Sequence, residues 1–250
     1  MYPDYPEGAP CWADARLPDV EAGKRFYGDL FGWTFDEGAG AERGFYTGAY
    51  GEDRAVAALA PGARGWTVHF AVRDAYTAAE RVAAAGGHLV SGPVSDGAVA
   101  TVALAAGPDG AVFGLWQAGS HQGFERTGAP GALCRAELRT PDAVLSDTFY
   151  TDVFGYPAPH LGDGNTSDLH IWRMGSPAGA GPGAPEVGRR AVSGWNARFL
   201  LHFGTADLAA TCAEAVRLGG HVRVAPHSTP YGPAAVLVDD QGAVFAVCAA

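Results

Sequence analysis

Two carboxylates and two imidazoles stand at matching places in the chain: Asp14 lies 55 residues before His69, and Glu137 lies 65 residues before His202. Five residues after each of the four comes an Asp of helix-opening type, namely Asp19, Asp74, Asp142 and Asp207. A carboxylate that orients an imidazole and raises its pKa makes a general base able to take a proton from a bound molecule near neutral pH. The same residue types on half-buried strands also serve as hydrogen-bonded core residues, and a duplicated structural pair repeats in the same way. Other chemistries lack their residues. There is no HExxH, no GxSxG elbow, no Walker loop and no GxGxxG opening a helix after a strand. Cys11, Cys134, Cys212 and Cys248 form no CxxC pair and read as small buried hydrophobes. His88 and His221 follow Gly-Gly pairs and read as solvent-side residues, while His121, His160, His170 and His227 fall in or near predicted loops without ligand spacing.

The elements that must position these groups come from a repeat. Pro10-Cys11-Trp12-Ala13-Asp14 and the residues through Asp19 match Leu133 through Asp142, and Phe26-Tyr27-Gly28-Asp29-Leu30-Phe31-Gly32-Trp33 matches Phe149 through Tyr156, at a constant offset of 123. At an offset of 133, Val68-His69-Phe70 matches Leu201-His202-Phe203, and Gly86-Gly87-His88 matches Gly219-Gly220-His221. The halves are therefore 10–118 and 131–248, joined by a polar linker over 119–130. The change in offset places an insertion in the second half, at the Gly- and Pro-rich Ser176 to Pro185, which reads as a mobile surface loop. Each half divides again into two modules of one plan: a short strand, a capping Asp, an amphipathic helix, then short strands between Gly or Pro turns. Helices are predicted from Asp19 to Phe31, Asp74 to Ala85, Asp142 to Phe154 and Asp207 to Leu218, the second and fourth stopping at Gly-Gly pairs.

With 48% hydrophobic and 18% charged residues in 250, the chain has material for a substantial core, and its 36 Gly and 17 Pro carry no collagen period. A net charge of −10 repels phosphate backbones and anionic lipid surfaces, which argues against nucleic acid as a partner. No secretory leader pattern stands in the first ten residues, and no uncharged run approaches the roughly 20 residues of a membrane span, so the chain reads as cytoplasmic with no membrane partner.

The plan of strand, helix and about three strands, repeated four times, with FYGDLFGW after the first strand and PDGAVFGLWQ closing the first half, resembles the vicinal oxygen chelate superfamily. That superfamily includes glyoxalase I, extradiol dioxygenases, fosfomycin-resistance enzymes and bleomycin-binding proteins. Together with GAPCWADA, these motifs are most similar to two-domain actinobacterial glyoxalase-like proteins, often labelled hydroxylases or bleomycin-resistance proteins. The resemblance implies an α+β fold of two tandem domains, each of two βαβββ modules forming a cup-shaped mixed sheet with helices outside. It also implies metal-ligand positions on first and last strands, and these fall near Trp12, Thr67 or Val68, Arg135 and Leu200, and on Gly114 and Ala246. None supplies the converging N, O or S donors that a divalent ion needs, so an empty metal site and no cofactor are expected.

In that architecture the first strands of paired modules run side by side, which would bring Asp14 near His69 and Glu137 near His202 as two acid–base pairs. Trp12 and Trp116 border the implied pocket, with Phe70, Arg135 and Phe203 as further ligand-binding residues. Trp66, Trp172 and Trp195 complete an aromatic set of which at least half is expected to fill core. Arg135 replaces Trp12 in the second half, where it is placed to pair with Glu137 and to make the first cup the more apolar one. Two functions follow. One is a metal-independent enzyme doing lyase, cyclase or hydroxylase-type chemistry on a small apolar, oxygenated or aromatic molecule. The other is a protein that sequesters such a molecule without turnover, as the bleomycin-binding relatives do. Module pairing can be met within one chain, which makes a monomer sufficient and leaves a homodimer open.

Overall fold

The computed structural model describes residues 5–38, 46–156, 169–172, 185–193 and 196–250. Residues 176–184 of the anticipated insertion, His160 and Trp195 lie outside this set. The described residues form fifteen strands and four helices, an α+β fold, and no helix among them is long and apolar enough to cross a membrane.

The first module is β1 (Pro10–Leu17), α1 (Val20–Phe31), β2 (Thr34–Phe35), β3 (Thr47–Gly51) and β4 (Arg54–Pro61). The second is β5 (Gly65–Ala71), α2 (Ala75–Ala84), β6 (His88–Asp96), β7 (Ala100–Ala106) and β8 (Val112–Ala118). The third shows β9 (Leu133–Thr140), α3 (Ala143–Phe154), β10 (Leu169–Ile171) and β11 (Glu186–Ala191). The fourth is β12 (Arg198–Thr205), α4 (Leu208–Arg217), β13 (His221–Thr229), β14 (Gly232–Val238) and β15 (Val244–Ala249). In modules one, two and four the first and last strands pair in parallel, with Asp14 opposite Ala58, His69 opposite Gly114 and His202 opposite Ala246, and the helix serves as the crossover. The intervening strands add antiparallel neighbours, which makes the sheets mixed.

All four helices start as expected. The carboxylates of Asp19, Asp74, Asp142 and Asp207 accept the backbone N–H groups of Ala22, Thr77, Leu145 and Ala210 at 2.9, 2.6, 3.0 and 2.9 Å. Each thereby satisfies one of the orphan donors of a first helical turn. α1 and α3 end on Gly32 and Gly155 at φ of 70° and 71°, left-handed conformations that a side chain would strain.

Compactness divides the chain differently from the repeat. One unit contains residues 1–12, 68–123 and 136–199, the other 13–67, 124–135 and 200–250, so each takes one module from each half. In the first unit α2 packs on α3, and Phe70, Phe113, Phe149, Tyr150, Phe154 and Phe199 form one aromatic cluster. In the second α1 packs on α4, and Tyr27, Phe31, Trp33, Trp66, Phe203 and Phe245 form another. Burial of this ring surface stabilises each unit.

Candidate functional site

Side chains alternate across a strand, so the parity of a residue decides whether it faces the helices or the opposite side of its sheet. His69 takes the side away from the helices. It is buried, and on the neighbouring β8 its register partner is Gly114, where an added Cβ would lie 1.9 Å from Nδ1 of His69. The imidazole therefore occupies the space that a side chain at 114 would need. In the fourth module the equivalent partner of His202 is Ala246, whose Cβ forbids a ring placed in the same way.

Around His69 the first unit gathers three more rings. Trp116, two positions beyond Gly114 on β8, lies 5.7 Å from His69 between ring centroids, 6.2 Å from Trp12 and 5.4 Å from His121. His121 meets Trp12 edge-on at 4.5 Å. Its Nδ1 accepts the Gly123 N–H at 3.1 Å, which places the proton of the neutral ring on Nε2, and its carbonyl accepts the Trp116 indole N–H at 3.2 Å. The buried Cys11 thiol donates to the His69 carbonyl, and burial pushes that thiol far above its ordinary pKa, so it is a packing group. Trp116 also forms one wall of a cleft of about 440 Å³ lined by Tyr5, Glu7, Arg73, Gln117 and Gln122 among others. Burial raises the Tyr5 phenol, and Glu7 is tied to Arg81 and to the Arg73 N–H.

The other anticipated residues are placed as follows. Asp14 is buried in the second unit, accepts the Tyr46 hydroxyl at 3.4 Å and has the Arg16 guanidinium at 4.0 Å. His202 belongs to that unit as well, beside Leu200, Val236 and Ala246, an aliphatic cluster. Glu137, in the first unit, is 1% exposed and is engaged by two cations, Arg139 at 3.0 Å and Arg190 at 3.3 Å. Each anticipated carboxylate–imidazole pair thus draws one member from each unit. Arg135 stacks its guanidinium 4.4 Å over the Tyr231 ring.

Phe70 and Phe203 need correction as ligand-binding residues. Each follows its histidine by one position and so faces the helices, where Phe70 packs on Phe113, Phe154 and Phe199, and Phe203 on Trp66, Phe31 and Phe245. Trp172 is buried and donates to the Asp147 carboxylate, and the half-buried Trp66 donates to the Tyr27 hydroxyl. Sequence reasoning missed His121, because nothing in a loop residue's spacing shows that its ring folds back onto Trp12. It also missed Arg139 and Arg190. The first was legible, since it stands two after Glu137 on the same side of β9.

The described residues do not supply the donors that the divalent ion of the metal-dependent members of the superfamily would need. Among the described residues no group of three His, Cys, Asp or Glu side chains is arranged to hold one. At Gly114, in addition, the His69 ring fills the room a ligand would need.

Comparison with known proteins agrees with this architecture. Residues 135–248 match the model of the Glyoxalase-like domain family. The chain is 34% identical to the anthracycline biosynthesis protein DnrV of Streptomyces peucetius, over 97% of this chain and 94% of that protein. It is 31% identical to the putative glyoxylase CFP32 of Mycobacterium bovis, over 98% and 95% of the two chains. Among solved structures, the 2,3-dioxygenase LapB from Pseudomonas sp. KL28 superposes with a TM-score of 0.64 at 13% identity, covering 98% of this chain and 93% of that one, a likeness of fold. The chain belongs to the glyoxalase-like family of these relatives.

Proposed function

We propose that this protein is an enzyme of secondary metabolism that binds a flat, oxygenated aromatic molecule beside Trp12 and Trp116 and moves a proton with His69, without a metal. The observation that carries this reading is the meeting of His69, Trp116, His121 and Trp12 in one cluster next to a cleft of about 440 Å³. That volume suits a small-molecule ligand, and indole faces favour flat, partly apolar rings. His69 is the acid–base group and Trp116 the surface against which the substrate lies. The name of the Streptomyces relative, a protein of anthracycline biosynthesis, supports a polycyclic, oxygenated substrate and a lyase, cyclase or hydroxylase-type reaction.

Sequestration without turnover is the second reading, favoured by the burial of His69, which is 2% exposed with the Trp116 ring against it. The two separate on His69→Ala and His202→Ala, assayed for binding and conversion of a hydroxyanthraquinone. Under the enzyme reading His69→Ala abolishes conversion, by a factor of at least about 100, and leaves affinity within a few-fold. Conversion unchanged in both variants sinks the acid–base assignment, and binding with no conversion in the unmodified protein selects sequestration.

A further inference from the structure

Arg135, Glu137 and Arg139 alternate along β9 and so face the same side of the strand. On β11 the successive residues Arg189 and Arg190 face opposite sides. Arg189 spends its fork on α3, with Nε and Nη2 on Asp147 at 2.9 and 2.7 Å. Arg190 turns the other way, to Glu137.

The cluster that results has an uneven charge. Glu137 is fully buried, and one of its oxygens, Oε1, serves the Nε of Arg139 at 3.0 Å and the Nε of Arg190 at 3.3 Å. Arg139 and Arg190 thus bring two positive charges to one carboxylate. Each guanidinium has five N–H groups; Arg139 gives its Nε–H to Glu137, and Arg190 approaches the same oxygen as an ion pair. The Nη forks of Arg139 and Arg190 make no hydrogen bond to any described residue, and the side chains keep 22% and 28% of their surface open. Two like charges drawn to one oxygen repel each other, and a second oxyanion placed between the forks would relieve that repulsion while gaining bidentate hydrogen bonds. A surface with a net charge of −10 does not gather anions at long range, so an anion found here is held by local contacts.

We propose that Arg139 and Arg190, held on Glu137, form a binding site for a small oxyanion, the carboxylate of an apolar organic acid or inorganic phosphate. Glu137 acts in it as a positioning residue. The site is independent of the enzymatic reading, because it shares no residue with the His69 cluster, and a protein without turnover would still possess it.

The test is calorimetric titration of the full chain at low salt with 1-naphthoate, with its neutral isostere 1-naphthamide, and with inorganic phosphate. Naphthoate is expected to bind at least about 10-fold more tightly than the amide, or phosphate to bind in its place, the preference between them telling which source the site serves. Arg190→Gln is expected to cost the preferred anion at least about 10-fold and to leave the amide unchanged. Should that variant fail to fold, Arg139→Lys keeps the charge and removes the fork, and a loss of several-fold in anion affinity is expected from it. Equal binding of naphthoate and naphthamide without phosphate binding, absence of binding by both anions, or anion affinities unchanged in the variants would overturn the proposal.

Discussion

At Gly114 the backbone and the His69 ring share a space that admits no methyl group. Gly114→Ala must push the imidazole off its seat or separate β5 from β8, and overpacking of this kind costs about 1–3 kcal/mol. Urea unfolding is expected to show that loss together with a fall in conversion comparable to that of His69→Ala, whereas a fully stable and fully active Gly114→Ala would refute the placement of the ring. Some residues of the candidate site are legible in the sequence and others are not. Trp12, His69 and Trp116 could be found from their place on strands. Phe70 and Phe203 follow their histidines by one position, and the alternation of a strand turns them to the helix side and away from the candidate site. His121 and Arg190 reach their partners through loop geometry and strand order, which no local pattern encodes.

At the scale of elements, the helices carry buried tyrosines whose phenols resist ionisation. Tyr27 on α1, Tyr150 on α3 and Tyr156 just beyond it all have pKa values raised well above the ordinary 10.0, in each case first by burial. For Tyr27 the negative charge of Asp239, which accepts its hydroxyl at 2.8 Å, adds to the effect. A group whose native pKa is raised gives stability that is fully present below the unfolded value and is lost as pH rises beyond it, because the unfolded chain then releases the proton first. Stability should therefore hold up to about pH 10 and fall steeply above it. An ultraviolet titration is expected to show these three tyrosines ionising only together with unfolding. Ionisation of all nine tyrosines before any loss of far-ultraviolet circular dichroism would contradict their burial. The helices were the best-read elements of the fold, since each capping Asp and each terminal Gly acts within one turn of its own helix. The short strands β2 and β10, of two and three residues, carry too little pattern to be seen.

At the scale of the whole molecule, the repeat is visible in the sequence and the compact units are not. Offsets of 123 and 133 reveal what was duplicated, whereas the packing of α2 on α3 and of α1 on α4 joins modules from different halves. Residues 1–123 expressed alone would present Phe70 and Phe113 without Phe154 and Phe199, and Tyr27 and Phe31 without Phe203 and Phe245. Such a fragment is expected to associate with itself or to lack a cooperative melt, as sedimentation and calorimetry would show; a monomeric fragment with a sharp transition would count against this partition. The partition also bears on how the protein is born. The unit that begins at Ala13 is completed by residues 200–250, so its aromatic face leaves the ribosome well before its partners have been synthesised. Until Phe203 and Phe245 have been made, the part of the α1 ring surface that they cover stays open, while the part against Trp33 and Trp66 can already close, so the exposed patch of a nascent chain is the one these two later rings will fill.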